Sequence, residues 1–190
     1  MSDAPPPAPK RTALWKKILL VIAVIAIAFV TIVLLQPDEF RVSRSATMTA
    51  TPAAAFEQVN DFHNWDKWSP WAKLDPAMKQ TYEGSPSGKG AIYTWTGNDQ
   101  VGEGKMTILE SQPNERILIQ LEFMRPFAST NMTEFTFKPD GTSTVATWTM
   151  SGKNNFMSKA MHLVMNMDKM IGPDFEKGLA DIKKTVEKKS

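Results

Sequence analysis

Three regimes of hydrophobic patterning follow one another along the chain. From Ile18 to Leu35 the apolar run is unbroken: ILLVIAVIAIAFVTIVLL has no charge, no Gly and no Pro, and Thr31 is its one weakly polar member. At about 1.5 Å of rise per residue these eighteen residues span roughly 27 Å, close to the hydrocarbon thickness of a bilayer. In water such a helix would need apolar partners on every side, and a chain this short has none to spare. The run predicts a transmembrane anchor over residues 14–36. Beyond it the period falls to two. FRVSRSATMTA reads as a strand, Thr51-Pro52 starts a short helix with Thr as cap and Pro at the first helical position, and FHNWDKWSPW makes a further turn. MKQTYEG, AIYTWTG, GEGKMTILES, RILIQLEFM, NMTEFTFK and TSTVATWTM then alternate between turn signals, which predicts six antiparallel strands joined by hairpins. From Asn155 the period becomes helical, with Phe156, Met157, Met161, Val164, Met165 and Met170 on one broad stripe. Gly172-Pro173 is expected to interrupt that helix before a last stretch through Phe175, Leu179, Ile182 and Val186.

Charge orients the anchor. Lys10, Arg11, Lys16 and Lys17 precede it, whereas Asp38 and Glu39 follow, with Arg41 and Arg44 further on, so the N-terminus is expected in the cytoplasm. A cleavable signal peptide is the rival reading. Its apolar region is about 7–15 residues long and ends in small residues, which the exit Val-Leu-Leu-Gln-Pro lacks. Residues 1–13, Pro-rich and poor in apolar side chains, read as a disordered cytoplasmic tail. Residues 38–190 make one domain of ordinary size. Without tail and anchor that domain holds 18 basic and 19 acidic residues, a balance that argues against a nucleic-acid partner. The absence of Cys excludes disulfides and thiolate metal sites.

This order of elements resembles the helix-grip fold of the START and Bet v 1-like (SRPBCC) superfamily, which includes polyketide cyclases and lipid-transport proteins. The likeness extends from about Phe40 to the C-terminus. TPAAAFEQVNDFHNWDKWSPW is similar to that family's first helices, while Met124-Arg125-Pro126-Phe127 and Ile171-Gly172-Pro173-Asp174-Phe175 resemble its membrane-anchored bacterial branch. The resemblance implies an α+β helix-grip domain, a curved seven-stranded antiparallel sheet around a long C-terminal helix, behind one N-terminal transmembrane helix. It also implies an apolar cavity for a hydrophobic ligand, and a single-pass plasma (inner) membrane protein with its domain periplasmic or extracellular. It does not imply catalysis, because most of the superfamily binds rather than transforms.

Candidate chemistry is sparse. The two histidines, His63 and His162, lack the spacing of metal ligands, and neither a metal nor another cofactor is expected. Gly102-Glu103-Gly104-Lys105 opens a strand rather than a helix and reads as a hairpin, not a phosphate loop. His63, Tyr93 and Glu103 are the weak catalytic candidates. Glu134 is expected to face solvent, because Phe135 and Phe137 take the other side of its strand. Without two convergent groups, no catalytic residue is assigned. The stronger signal is a lining. Trp65, Trp68 and Trp71 crowd one segment, Trp95 and Trp148 sit in strands, and Phe123 and Met150 share the strand wall. Met157, Met161 and Met165 recur at i, i+4 and i+8, a flexible stripe able to repack around a guest; the same stripe also reads as plain core. Two functions follow: a membrane-tethered binding module for a hydrophobic small molecule or lipid, or a cyclase or dehydratase acting on a similar guest. A self-filled interaction domain is the third.

Overall fold

The computed structural model describes residues 11–188, with side chains from Trp15 onward. The tail expected over 1–13 lies outside these residues up to Lys10. The first helix, α1 (Arg11–Leu34), begins inside that expected tail, as an extension of the apolar run toward Arg11. It is long and apolar enough to cross a membrane, a property that a signal sequence shares. Its side chains are exposed along almost its whole length, except at Val33, which is fully covered where α1 meets the C-terminal part of the domain.

The domain follows at once with β1 (Glu39–Met48) and α2 (Pro52–Asn60). Thr51 caps α2 by accepting from the Ala54 amide, and Pro52 takes the first-turn position whose N–H has no intrahelical partner. A 3₁₀ helix (Phe62–Lys67) and an irregular stretch lead into β2 (Lys79–Gly84), β3 (Ala91–Thr96), β4 (Glu103–Gln112), β5 (Arg116–Arg125), β6 (Ser129–Asp140) and β7 (Ser143–Lys153). The chain ends in α3 (Phe156–His162) and α4 (Met167–Glu187). All seven strands form one antiparallel sheet in the order β1-β7-β6-β5-β4-β3-β2. Register shifts at Glu103/Gly104 and Ile108/Glu110 bend β4, because an unpaired residue on one strand increases local twist and curves the sheet. Alternation decides which face is covered. Ile117 and Ile119, Phe135 and Phe137, Ala146 and Trp148 point into the concave side and are buried, while their neighbours face out.

The terminal helix corrects one expectation. The break falls at Leu163–Asn166, between two helices each capped by Asn: Asn155 accepts from the Ser158 amide and Asn166 from the Lys169 amide. Gly172-Pro173 lies inside α4 and does not end it. Arg44, on the concave side of β1, reaches Asp168 before the proline (2.7 Å) and Glu176 after it (2.7 Å), and so holds both sides of the missing hydrogen bond in one helix. Gly172 is where the guanidinium lies. A Cβ there would stand 2.2 Å from Arg44 Nη2.

α4 runs along β1 from Arg44 to its far end, where Glu187 accepts from the Thr49 amide at 2.7 Å. In that distal half the core is solid. Phe56 meets Phe137 edge-on at 5.8 Å, and Val59, Leu179, Ile182 and Val186 are almost completely buried. In the half nearer α1 the sheet and its cover separate.

Candidate functional site

A cavity of about 210 Å³ opens there between the concave face of the sheet and its cover. β3 and β4 contribute Tyr93, Trp95 and Met106, and β5 contributes Leu121 and Phe123. From β6 and β7 come Thr133, Trp148 and Met150. The segment after α2 supplies Trp65, Asp66, Ser69 and Trp71; α4 closes the far side with Ile171 and Phe175. Trp148 is its floor. Its indole stacks between Phe175 (4.1 Å, 5° between planes) and Phe135 (4.8 Å), with the edges of Trp68 and Trp71 against it. Gly178 makes this possible, since a Cβ at that position would stand 2.8 Å from the Trp148 ring. Gly104 does the same for Trp95, whose ring lies where a side chain would go, 2.4 Å from a Cβ.

The wall tryptophans are fixed by backbone. Trp65 Nε1 donates to Val59 O (3.0 Å), and Trp95 Nε1 to Val101 O (2.9 Å). Their N–H groups are therefore not free to orient a guest, and the rings act as apolar wall. Trp148 Nε1 differs: it is buried without a hydrogen-bond partner, as is Thr133 Oγ1, among the described residues. Asp66 and Tyr93 are the ionisable side chains of the wall. Burial first, then the neighbouring Tyr82 and Asp66, push the Tyr93 hydroxyl well above the usual phenol range. It stays protonated at neutral pH and is a donor rather than a base. Asp66 belongs to a short polar chain at the rim. Tyr82 donates to Gln80 (3.0 Å), whose amide nitrogen donates to Asp66 Oδ1 (3.2 Å).

Of the residues singled out from the sequence, the structure brings Trp65, Trp95, Phe123, Trp148, Met150 and Tyr93 to this one wall, and Trp71 with them. Trp68 requires correction. It lies beneath the wall, fully buried, with Nε1 donating to Gln58 O (2.9 Å) and its edge on Phe135. Met157, Met161 and Met165 require a larger one. All three are exposed and outside the cavity, because the break at Leu163–Asn166 turns α3 away from the sheet. His63 is on the surface, stacked on Tyr82 at 4.2 Å and hydrogen-bonded to Asp61. Glu103 faces outward and pairs with Arg125 at 2.9 Å, and Glu134 likewise pairs with Arg116 at 2.7 Å. Neither carboxylate reaches the cavity. Met106, Leu121 and Thr133 were readable from strand alternation. Asp66 sits in the short 3₁₀ helix, and Ser69 and Gln100 sit on irregular backbone that carries no period. No cluster of three or more His, Cys, Asp or Glu suited to a metal occurs among the described residues.

Comparison with known proteins matches this architecture. Residues 39–187 match the family described as polyketide cyclase / dehydrase and lipid transport. A protein from Chromobacterium violaceum superposes with a TM-score of 0.56 at 16% identity, covering 80% of this chain and 99% of that one. Aha1 from Colwellia psychrerythraea, solved as a dimer, gives 0.56 at 13% identity over 78% of this chain and 96% of that one. Ara h 8.0201 gives 0.54 at 11% identity, over 79% and 99%. At these identities the likeness is one of fold. No curated protein matches the chain.

Proposed function

The chain belongs to the polyketide cyclase / dehydrase and lipid transport family, and on that premise we propose that it is a membrane-tethered binding module for a small hydrophobic molecule. The observation that carries this reading is the mostly apolar cavity of about 210 Å³, partly open to the surface, between sheet and cover. Size narrows the guest. A protein cavity of about 150 Å³ admits benzene, so this one suits a molecule of one or two rings or a short acyl chain, and a whole phospholipid would have to protrude. α1 is the tether. Lys16 and Lys17 in its first turns, ahead of the apolar run, and Asp38 and Glu39 after it support a cytoplasmic N-terminus and a domain on the opposite side of the membrane.

The test uses the full chain in detergent micelles. Native mass spectrometry should find a co-purified guest, or saturating naphthol or octanoate should raise the melting temperature. A hundredfold excess over Kd contributes about 2.7 kcal/mol, on the order of 5–10 °C for a domain of this size. Leu121→Trp, which fills the cavity, should abolish the shift. No retained guest and no shift with either compound removes the carrier reading. A cyclase or dehydratase is the second reading, and one observation favours it: Asp66 and Tyr93 share the wall. It requires the guest to be recovered chemically altered, and Asp66→Asn or Tyr93→Phe to stop the alteration. A guest recovered unchanged leaves binding alone.

A further inference from the structure

Met157, Met161 and Met165, which do not line the cavity, are exposed on the outward side of α3 and the turn after it. Met157, Met161 and Val164 recur at i, i+4 and i+7 and are 64%, 36% and 85% exposed, with Phe156 and Met165 exposed beside them. The segment is held with that side out. Lys159, on the opposite side of α3, is buried and donates to Asp38 at 2.5 Å. Asn154 binds the same junction twice, through its amide N–H to Asp38 O (2.7 Å) and through Nδ2 to Pro37 O (3.1 Å). A fixed helix presenting bulky apolar side chains to water is costly and marks an interaction surface.

Its place in the fold identifies the occupant. Val33, in the last turn of α1, is fully covered where α1 packs on α3, so the methionine face lies level with the end of the apolar helix. Phe127, 70% exposed, tips the β5–β6 hairpin at this same end, as the register shows: Phe123 opposes Ser129, Asn131 opposes Gly152, and Lys153 opposes Glu39. Lys153 and Lys169 flank the face in sequence, both exposed, where they suit anionic headgroups. The β3–β4 hairpin, which gives Gln100 and Val101 to the cavity wall, also reaches this end.

We propose that this end of the domain, α3 with the turn after it and the Phe127 hairpin, is seated in the interfacial layer of the bilayer that α1 crosses, so that the cavity is filled from lipid rather than from water. The proposal rests on reading α1 as a membrane anchor. The chain has no Cys, so single nitroxide labels can be placed in the full-length protein by Met157→Cys, Val164→Cys and Phe127→Cys. Ala26→Cys in α1 and Thr142→Cys at the far β6–β7 turn serve as references. In vesicles of phosphatidylethanolamine and phosphatidylglycerol, the first three labels should show an oxygen-to-nickel-chelate accessibility ratio several-fold above that at position 142, approaching that at 26. Labels at 157, 164 and 127 as wet as 142, with 26 in lipid, overturn the proposal and leave the anchor standing. A wet label at 26 overturns both. Spin–spin broadening at 157 and 164 in place of lipid contact assigns the face to a second copy and also overturns the proposal.

Discussion

Gly172 and Gly178 sit six residues apart on α4 and face different neighbours, and the difference decides what a methyl group does at each. In both, replacing Gly by Ala improves helix propensity by about 1 kcal/mol. At Gly172 the obstacle is the end of an arginine side chain, which can swing away at the expense of half-exposed ion pairs worth little. At Gly178 it is the Trp148 ring, clamped between Phe135 and Phe175 and unable to yield. Gly172→Ala should therefore shift stability by less than about 0.5 kcal/mol, and Gly178→Ala should destabilise by about 1–3 kcal/mol in urea unfolding. Equal costs at the two sites would contradict this account of how α4 meets the sheet. Composition told where the tryptophans were but not what their N–H groups do. Trp65, Trp68 and Trp95 bind backbone carbonyls, and only the folded chain shows that Trp148 has none to bind among the described residues.

Among the elements, the strands were the most legible, because a period of two on a one-sided sheet names both element and face. The end of the chain was less so. A helical period runs unbroken through Phe156 to Met170, yet Asn155 and Asn166 each start a new helix, and the residue that carries the second through Pro173 is Arg44, on β1 and far off in sequence. Arg44 also makes α4 docking sensitive to acid. Its hydrogen bonds hold the Asp168 carboxyl below the usual carboxylate value of 3.8, and Lys159 does the same to Asp38. Carboxylates lowered on folding stabilise at any pH above their unfolded value, and that contribution is lost as pH falls through the lower folded value. The melting temperature should thus hold between pH 7 and 5 and fall once the pH drops below about 4. Arg44→Ala should lower it at neutral pH and flatten the acid limb, as read by circular dichroism. An acid limb unchanged by Arg44→Ala would remove the clamp from the account.

Across the whole molecule the two halves of the interior differ in kind. The distal half is filled, whereas the half beside α1 holds the cavity, and one family of apolar side chains serves both. Sequence alone does not separate them, since Ile182 and Met150 are both apolar, both buried and both on periodic elements. Truncation does. Ile182→Ala opens a new void in close packing and should cost about 3–5 kcal/mol. Met150→Ala only enlarges an existing space and should cost about 2 kcal/mol or less. Comparable losses in thermal unfolding would mean that the space beside Met150 is closed in solution.

Four residues, Leu35–Asp38, separate the end of α1 from the first strand, and they are not slack. Leu35 and Gln36 still bond back to α1, while Pro37 and Asp38 are gripped by Asn154 and Lys159. Even fully extended, four residues reach only about 14 Å, and these are folded. On the proposed reading of α1 as an anchor, the domain would be bolted to its bilayer rather than leashed to it. A shuttle that ferries cargo between two membranes needs a long pliant leash, so on that reading a guest would be collected and handed on within arm's length of one membrane.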